Sequence, residues 1–460
     1  MFSTLCLLAA GLISPNDARP NIVVILVDDL GYADLGCQGC VDFETPHIDR
    51  LADEGVRLTQ GYVSHPYCSP SRAGILTGRY QQRFGHEHNP HYDEADDSTG
   101  TDVSEVMLPR LFAEAGYATG HIGKWHLGAG PPFRPLARGY DEFFGFLGGG
   151  HDYFRIGGKG EYRSPLWRGA ETTEQKPTYL TDDLTNEALA FIHRHHARPF
   201  FLLLAYNAPH APDQATDEYL NMVSGIKHQG RRRYAALVRG IDTGVGKILD
   251  SLTEHELDKQ TLVVFLSDNG GRRAVSDNRP LRGNKGWLHE GGLRVPFLFR
   301  WPGKLAAGVT YDEPVSALDV LPTALAVAHI SRPDALDGVD VLGHLQGKAK
   351  GRPHERLHWR VCGGEGWALR RDDWKLVQDV SMTSPALYDL STDIAEDHDL
   401  AEAKPDVVAS LMRDHSMWNK TLRAPAWTEA HARNVTQERQ KAREAGTRQF
   451  PMDWLEEAER

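Results

Sequence analysis

Two short polar pairs, Asp28-Asp29 and Asp268-Asn269, each stand at the end of an apolar run. Adjacent carboxylates repel, so keeping a pair at the end of a buried segment makes physical sense if a cation sits between them. Asp28, Asp29, Asp268 and the amide oxygen of Asn269 form an all-oxygen set suited to a hard divalent ion, Ca²⁺ or Mg²⁺. The alternative is that each pair only caps the turn after it. A third feature is Cys68-Ser69-Pro70-Ser71-Arg72. Pro70 favours the first turn of a helix and Ser69 can cap it, so Cys68 falls at a helix N-terminus, where the dipole stabilises negative charge. Taken alone, the segment is read as a low-pKa thiolate nucleophile or as a buried cysteine. The spacing from Cys68 to Arg72 is shorter than the oxyanion loop of a cysteine-dependent phosphatase.

Short apolar runs must hold these groups. Asn21 to Val27, Phe200 to Ala205, Thr261 to Leu266 and Val295 to Phe299 read as buried strands. Between them, Val238, Ile241, Val245, Ile248, Leu249 and Leu252 follow the three-and-four spacing of a helix with one apolar face. The alternation predicts an α/β fold with a mainly parallel sheet flanked by helices. Ligands in such sheets bind beyond the strand carboxyl ends. Asp28-Asp29, Asn207-Ala-Pro-His210 and Ser267-Asp-Asn269 occupy three such ends, and Tyr117 to Ile122 opens onto Gly123-Lys-Trp-His-Leu-Gly128.

The chain has 460 residues, enough for a large core, with 40% hydrophobic and 25% charged residues. Coiled-coil, collagen-like and wholly disordered classes are excluded. Lys plus Arg number 51 against 63 Asp plus Glu, a net charge of −12, which argues against a general nucleic-acid or anionic-membrane binder. Residues 1–18 read as a signal peptide or apolar N-terminal extension, although no basic residue precedes Arg19. No later run reaches the roughly 18 apolar residues of a membrane span, so a periplasmic or secreted protein without stable membrane insertion is expected. Residues 19–350 are read as the catalytic unit and 351–460 as a small α+β C-terminal domain with a charged tail. In the latter, short strands are expected at Leu357 to Trp359, Gly366 to Arg370 and Trp374 to Val377, with a helix near Pro405 to Trp418. The five cysteines are too few for a disulfide scaffold; Cys37 and Cys40 are expected to pack or to form a local disulfide. The Arg231 to Arg233 run reads as a solvated helix start that could steer a polyanion.

Cys68-Ser-Pro-Ser-Arg72, followed by Ala-Gly-Ile-Leu-Thr-Gly-Arg79, resembles the maturation signature of the type I, formylglycine-dependent sulfatases of the alkaline phosphatase-like superfamily. The resemblance extends through Asp28-Asp29, Gly123 to Gly128, Ala208-Pro-His210, Ser267 to Gly270 and Gly291 to Pro296. In style it is closest to the arylsulfatase and N-acetylgalactosamine-6-sulfatase-like branch. It implies an alkaline phosphatase-like sheet with a small antiparallel sheet in the C-terminal domain. It also implies oxidation of Cys68 to formylglycine by a maturation enzyme, whose hydrated aldehyde attacks sulfur, and Ca²⁺ held by Asp28, Asp29, Asp268, Asn269 and modified residue 68. By motif position Arg72 holds the modified residue, while Lys124 and His126 orient its diol, with His126 as the base that breaks down the sulfated intermediate. His210 protonates the leaving oxygen and Lys285, in a looser motif, contacts sulfate.

Polar and forked side chains near this centre are the candidates for sugar recognition: His86, His88, Asn89, His151, Arg272 and Arg273. The substrate implied is a sulfated oligo- or polysaccharide. A phosphonate monoester or phosphodiester hydrolase of the same superfamily, and a glycan-binding pseudoenzyme, are the alternatives.

Overall fold

The uninterrupted apolar run Asn21–Val27 requires cover on both faces, and it has it. In the computed structural model, which describes residues 19–158 and 160–428, Ile22, Val24 and Leu26 join one core while Val23, Ile25 and Val27 join another on the opposite face. The strands are β1 (Asn21–Val27), β2 (Val56–Leu58), β3 (Gly61–Tyr62), β4 (Ala118–Lys124), β5 (Glu142–Phe146), β6 (Leu166–Arg168), β7 (Glu171–Thr173), β8 (Phe200–Ala205), β9 (Thr261–Ser267), β10 (Phe297–Arg300), β11 (Val309–Tyr311) and β12 (Val315–Ser316). Ten of them form one sheet in the order β11-β2-β10-β9-β1-β8-β4-β5-β6-β7. Its centre, β9 to β5, is parallel, and β10 is antiparallel to β9. The run expected from Val295 to Phe299 thus begins two residues later and runs against its neighbour.

Helices Pro46–Asp53, Leu180–His195 and Gln229–Glu254 cover one face; Cys68–Thr77, Leu108–Glu114 and Val320–Val327 cover the other. The six apolar positions spaced along Gln229–Glu254 are all buried. The expectation of a solvated helix start holds for Arg233, which is exposed, and fails at Arg231. The latter is buried and clamped between Asp34, at 2.5 Å, and Asp42, at 2.8 Å, so it serves the core and does not steer a ligand. Cys37 and Cys40 are free thiols packed against the same core, so the packing reading holds and the disulfide is not formed.

The C-terminal part forms a four-stranded antiparallel sheet of β13 (Arg356–Val361), β14 (Gly366–Arg371), β15 (Trp374–Gln378) and β16 (Ala386–Asp389), followed by helix Pro405–Asn419. The signal-peptide and charged-tail readings fall outside the described residues. Among these, no helix is long and apolar enough to cross a membrane.

Lys375 ties this sheet to the larger one. It is fully buried, with Nζ 2.8 Å from Glu290 and 3.0 Å from Glu396. Burial, reinforced by Glu290 and opposed by Lys375, raises Glu396 to about 7; burial acts in the same direction on Glu290, but Lys375 and the nearby arginines outweigh it and hold that group at about 2. Lys375→Met would leave two carboxylates facing each other out of water. Removing one partner of a buried ionic cluster costs about 3–5 kcal/mol, so chemical denaturation of the variant is expected to show a clearly lowered midpoint. The loss should shrink as pH falls, because protonating Glu396 removes the uncompensated charge.

Candidate active site

The parallel core delivers its polar residues to one rim. β1 ends at Val27 and β9 at Ser267, paired with each other, so Asp28-Asp29 and Asp268-Asn269 emerge side by side. β8 leads to Asn207 and His210, and β4 ends in Lys124. Asp29, at φ +70°, and His126, at φ +62°, occupy the left-handed region, a strained conformation typical of residues held for function.

Helix Cys68–Thr77 supplies the centre. Cys68 is its first residue and Arg72 lies four residues on, on the same face. Contrary to the sequence expectation, Ser69 does not cap it; the flanking residue is Tyr67, and Ser69 Oγ instead donates to the His126 carbonyl at 2.5 Å. Cys68 Sγ lies 3.4 Å from Asp28 Oδ1, 3.8 Å from Asp29 Oδ1 and 3.2 Å from Lys285 Nζ. Lys285 also reaches Asp29 at 2.7 Å, Lys124 Nζ donates to Asp28 at 2.5 Å, and Arg72 Nε donates to Asp268 at 2.8 Å. All six metal and nucleophile-region charges are thereby paired. Asp28, Asp29 and Asp268 balance Arg72, Lys124 and Lys285, leaving the centre formally neutral.

Burial, with Asp28 next, pushes the Cys68 thiol well up. This overturns the low-pKa thiolate expected from the helix dipole. A buried neutral thiol that donates to a carboxylate is a poor nucleophile at neutral pH. Asp268 is raised to about 6, chiefly by burial and Asp28, whereas Asp29 is held low because Lys285, His210 and Lys124 outweigh its burial.

The donor set fits a hard cation. Asp28, Asp29, Cys68 and His210 present ligand atoms within 4.8 Å of one another. Asn269 donates through Nδ2 to Asp29 at 2.7 Å, while its Oδ1 is buried with no hydrogen-bond donor to it among the described residues. An orphaned acceptor beside three carboxylates is what a divalent ion would satisfy.

Above Cys68 opens a cavity of about 660 Å³ whose wall includes His126, His210, Lys285, Glu161, Tyr162 and Trp427. Burial, then the neighbouring cations, keeps His126 neutral, and its Nδ1 has no hydrogen-bond partner among the described residues. Gly149 makes room for that ring, since a Cβ there would lie 2.6 Å from both Cε1 and Nε2. Gly149→Ala is therefore expected to displace His126 and lower kcat by about tenfold to a hundredfold, with an unchanged melting temperature; equal kcat would show that the ring position is immaterial. His210 Nδ1 donates to the Ala211 carbonyl at 2.8 Å, which leaves Nε2 as the lone-pair atom 3.6 Å from Asp29.

The proposed sugar contacts separate. Asn89 lines the cavity. His86 does not: it is buried between Ser69, at 2.6 Å, and Thr101, at 3.0 Å. Both ring nitrogens of His151 meet backbone carbonyls, those of Asp152 and Ser164. Arg272 is fastened to Asp213 at 2.5 Å. His88 and Arg273, like these three, are not in the cavity wall. Sequence reasoning missed Tyr67, Glu161, Tyr162 and Trp427, which do line it; Glu161 and Tyr162 sit in a single 3-10 turn, Glu161–Arg163, and Tyr67 and Trp427 outside any helix or strand, so none carries a periodic signal.

Residues 20–330 match the family model described as Sulfatase. The chain belongs to the sulfatase family. Residues 283–418 of this sulfatase also match the model for the C-terminal part of N-sulphoglucosamine sulphohydrolase. The sulfatase is 39% identical over 382 residues to N-acetylgalactosamine-6-sulfatase of Mus musculus, spanning 77% of this chain and 71% of the relative. It is 33% identical over 491 residues to the uncharacterized sulfatase YdeN of Escherichia coli (strain K12), covering 85% and 84%. Among solved structures, Ps i-CgsB in complex with k-i-k-neocarrahexaose matches with a TM-score of 0.85 at 35% identity, over 92% of this chain and 98% of that one. The fold is that of the alkaline phosphatase-like superfamily and the protein is a sulfatase, an enzyme of sulfate ester hydrolysis.

Proposed function

We propose that this sulfatase releases inorganic sulfate from a sulfated oligo- or polysaccharide, using residue 68 after its conversion from cysteine to formylglycine. The observation that carries the reading is the buried Cys68 side chain in the wall of the cavity, ringed by Asp28, Asp29 and Lys285. The site is built around that position, yet the unmodified side chain cannot serve it well. In the modified residue the reacting oxygen would stand near the position that Cys68 Sγ now takes. The modified residue would supply a hydrated aldehyde as nucleophile, and would require a maturation enzyme as partner.

Asp28, Asp29, Asp268 and Asn269 would hold Ca²⁺, which supplies charge neutralisation for sulfate oxygens. Because the protein's own charges balance, a bound dication makes the centre net positive and selective for an anion. Arg72 fixes residue 68 through Asp268 and the Lys124 carbonyl, at 2.8 and 3.1 Å. Lys124 and Lys285 are both kept protonated by the carboxylates beside them despite burial, and Lys285 stands in the cavity wall, where it would contact sulfate. Neutral His126 accepts a proton from residue 68. His210 is held at about 3 by burial and Lys285, against the pull of Asp29; an anionic ester in the cavity raises it, and Nε2 can then deliver a proton to the leaving oxygen.

Tyr67, Tyr162 and Trp427 offer flat surfaces for sugar rings, and Asn89 and Glu161 offer polar groups for hydroxyls. The two-part division at residue 350 and a periplasmic or secreted location belong to the same proposal. Sulfate release from a panel of defined sulfated oligosaccharides, with phosphonate and phosphate diesters in parallel, tests it. Turnover of a sulfated saccharide is expected; faster turnover of the phosphorus esters would favour the alternative activity. His210→Ala should cost about 10²- to 10⁴-fold on a sugar sulfate but far less on an activated aryl sulfate, whose leaving group needs no proton. An equal loss on both would remove His210 from the acid role.

A further inference from the structure

His193, His196 and His255 form a second cluster, remote from the cavity. One ring nitrogen from each lies within 4.8 Å of the others. His193 is in the last turn of helix Leu180–His195 and His196 caps it; His255 caps helix Gln229–Glu254. Both helix C-termini therefore point at the cluster, and their dipoles favour a cation there.

The ring orientations are set from behind. His255 Nδ1 lies 2.8 Å from the Ser251 carbonyl and His196 Nδ1 lies 2.7 Å from the His193 carbonyl. A carbonyl only accepts, so each Nδ1 carries the hydrogen and each Nε2 carries the lone pair. This backbone support of the outer nitrogen is the arrangement that orients metal-binding imidazoles. His193 Nδ1 sits 3.2 Å from His255 Nε2. Two nitrogens bound to one tetrahedral zinc at about 2.0–2.1 Å stand about 3.3 Å apart, so this pair is already at ligand spacing. The adjoining cleft carries Asp250 and Glu254 against Lys247.

We propose that His193, His196 and His255 form a surface site for a divalent transition metal of the zinc type, with water completing the coordination. Three imidazoles suit zinc, nickel or copper and not calcium, which takes oxygen ligands, so this site and the rim carboxylates sort different ions. On binding, the hydrogen of His193 Nδ1 moves to Nε2, freeing the Nδ1 lone pair with no net proton change for a neutral ring. The two helices lead into β8 and β9, which flank β1. Because β1 runs the length of the sheet, a span of about 20 Å, a metal here fastens the helix ends under the catalytic strands without touching the reaction.

Zinc chloride titrated into the full chain in excess calcium tests this by calorimetry and by thermal unfolding. One zinc per chain and a raised unfolding temperature are expected, with affinity lowered more than about tenfold by His255→Ala and unchanged by Cys68→Ala. His196→Gln, which lies beyond the helix end, gives the same reading if the first variant folds poorly. Sulfate release without zinc should be the same in these histidine variants as in the parent. Zinc affinity that survives the histidine variants, affinity lost with Cys68→Ala, or no binding up to about millimolar zinc overturns the proposal.

Discussion

Cys68→Ala is expected to abolish sulfate release, by about 10⁴- to 10⁶-fold, the range seen when an enzyme loses its covalent nucleophile. The chain should still fold. Cys68 is buried at the first residue of its helix, and replacing it with alanine removes one sulfur atom and no salt bridge. The neighbours that converge on it, Asp28, Asp29 and Lys285, retain one another or Lys124 as partners. A near-parental melting curve with no sulfate release would thus place the loss in chemistry. Substantial activity in the alanine variant would mean that another group attacks the ester.

Removal of divalent cations gives the second large effect. Exhaustive chelation should lower activity by about 10³-fold or more, since a bound dication contributes several kcal/mol of charge stabilisation, and added Ca²⁺ should restore it. Asp29→Asn is expected to weaken that restoration, shifting the calcium dependence to higher concentration. Asp29 is the informative position because its carboxylate meets Lys285, Asn269 and Cys68 together. Asp268→Asn is less clean, because Asp268 also anchors Arg72. Full activity after chelation would remove the cation from the account.

The strands and the polar rim at their ends were legible in the sequence because each carried a local signal that tertiary structure had no reason to override. Asn21–Val27 is apolar at every position after Asn21, which only a strand covered on both faces can satisfy. Cys68 and Arg72 are spaced to share one helix face, and the acidic pairs directly follow strands that turn out to be adjacent. The cavity wall was not legible in that way. Residue type alone does not separate a histidine that meets substrate from one that is consumed by backbone carbonyls, as His151 is. Arg272 and Arg231 looked like available cations, and their partners Asp213, Asp34 and Asp42 come from distant segments. Trp427 reaches the cavity from beyond the last helix, where its ring packs 4.7 Å from that of His86. The three-histidine cluster was hidden for the same reason: His255 is 59 residues from His196 in the chain, and only the packing of two helices brings them together.

Peptide mass spectrometry of the residue 68 segment, made on the same preparations whose sulfate release is measured, tests the central claim most directly. Expression with and without a maturation enzyme should give a graded fraction of formylglycine at position 68, with specific activity rising in proportion to it. A preparation with unmodified Cys68 throughout and full sulfate release would contradict the account.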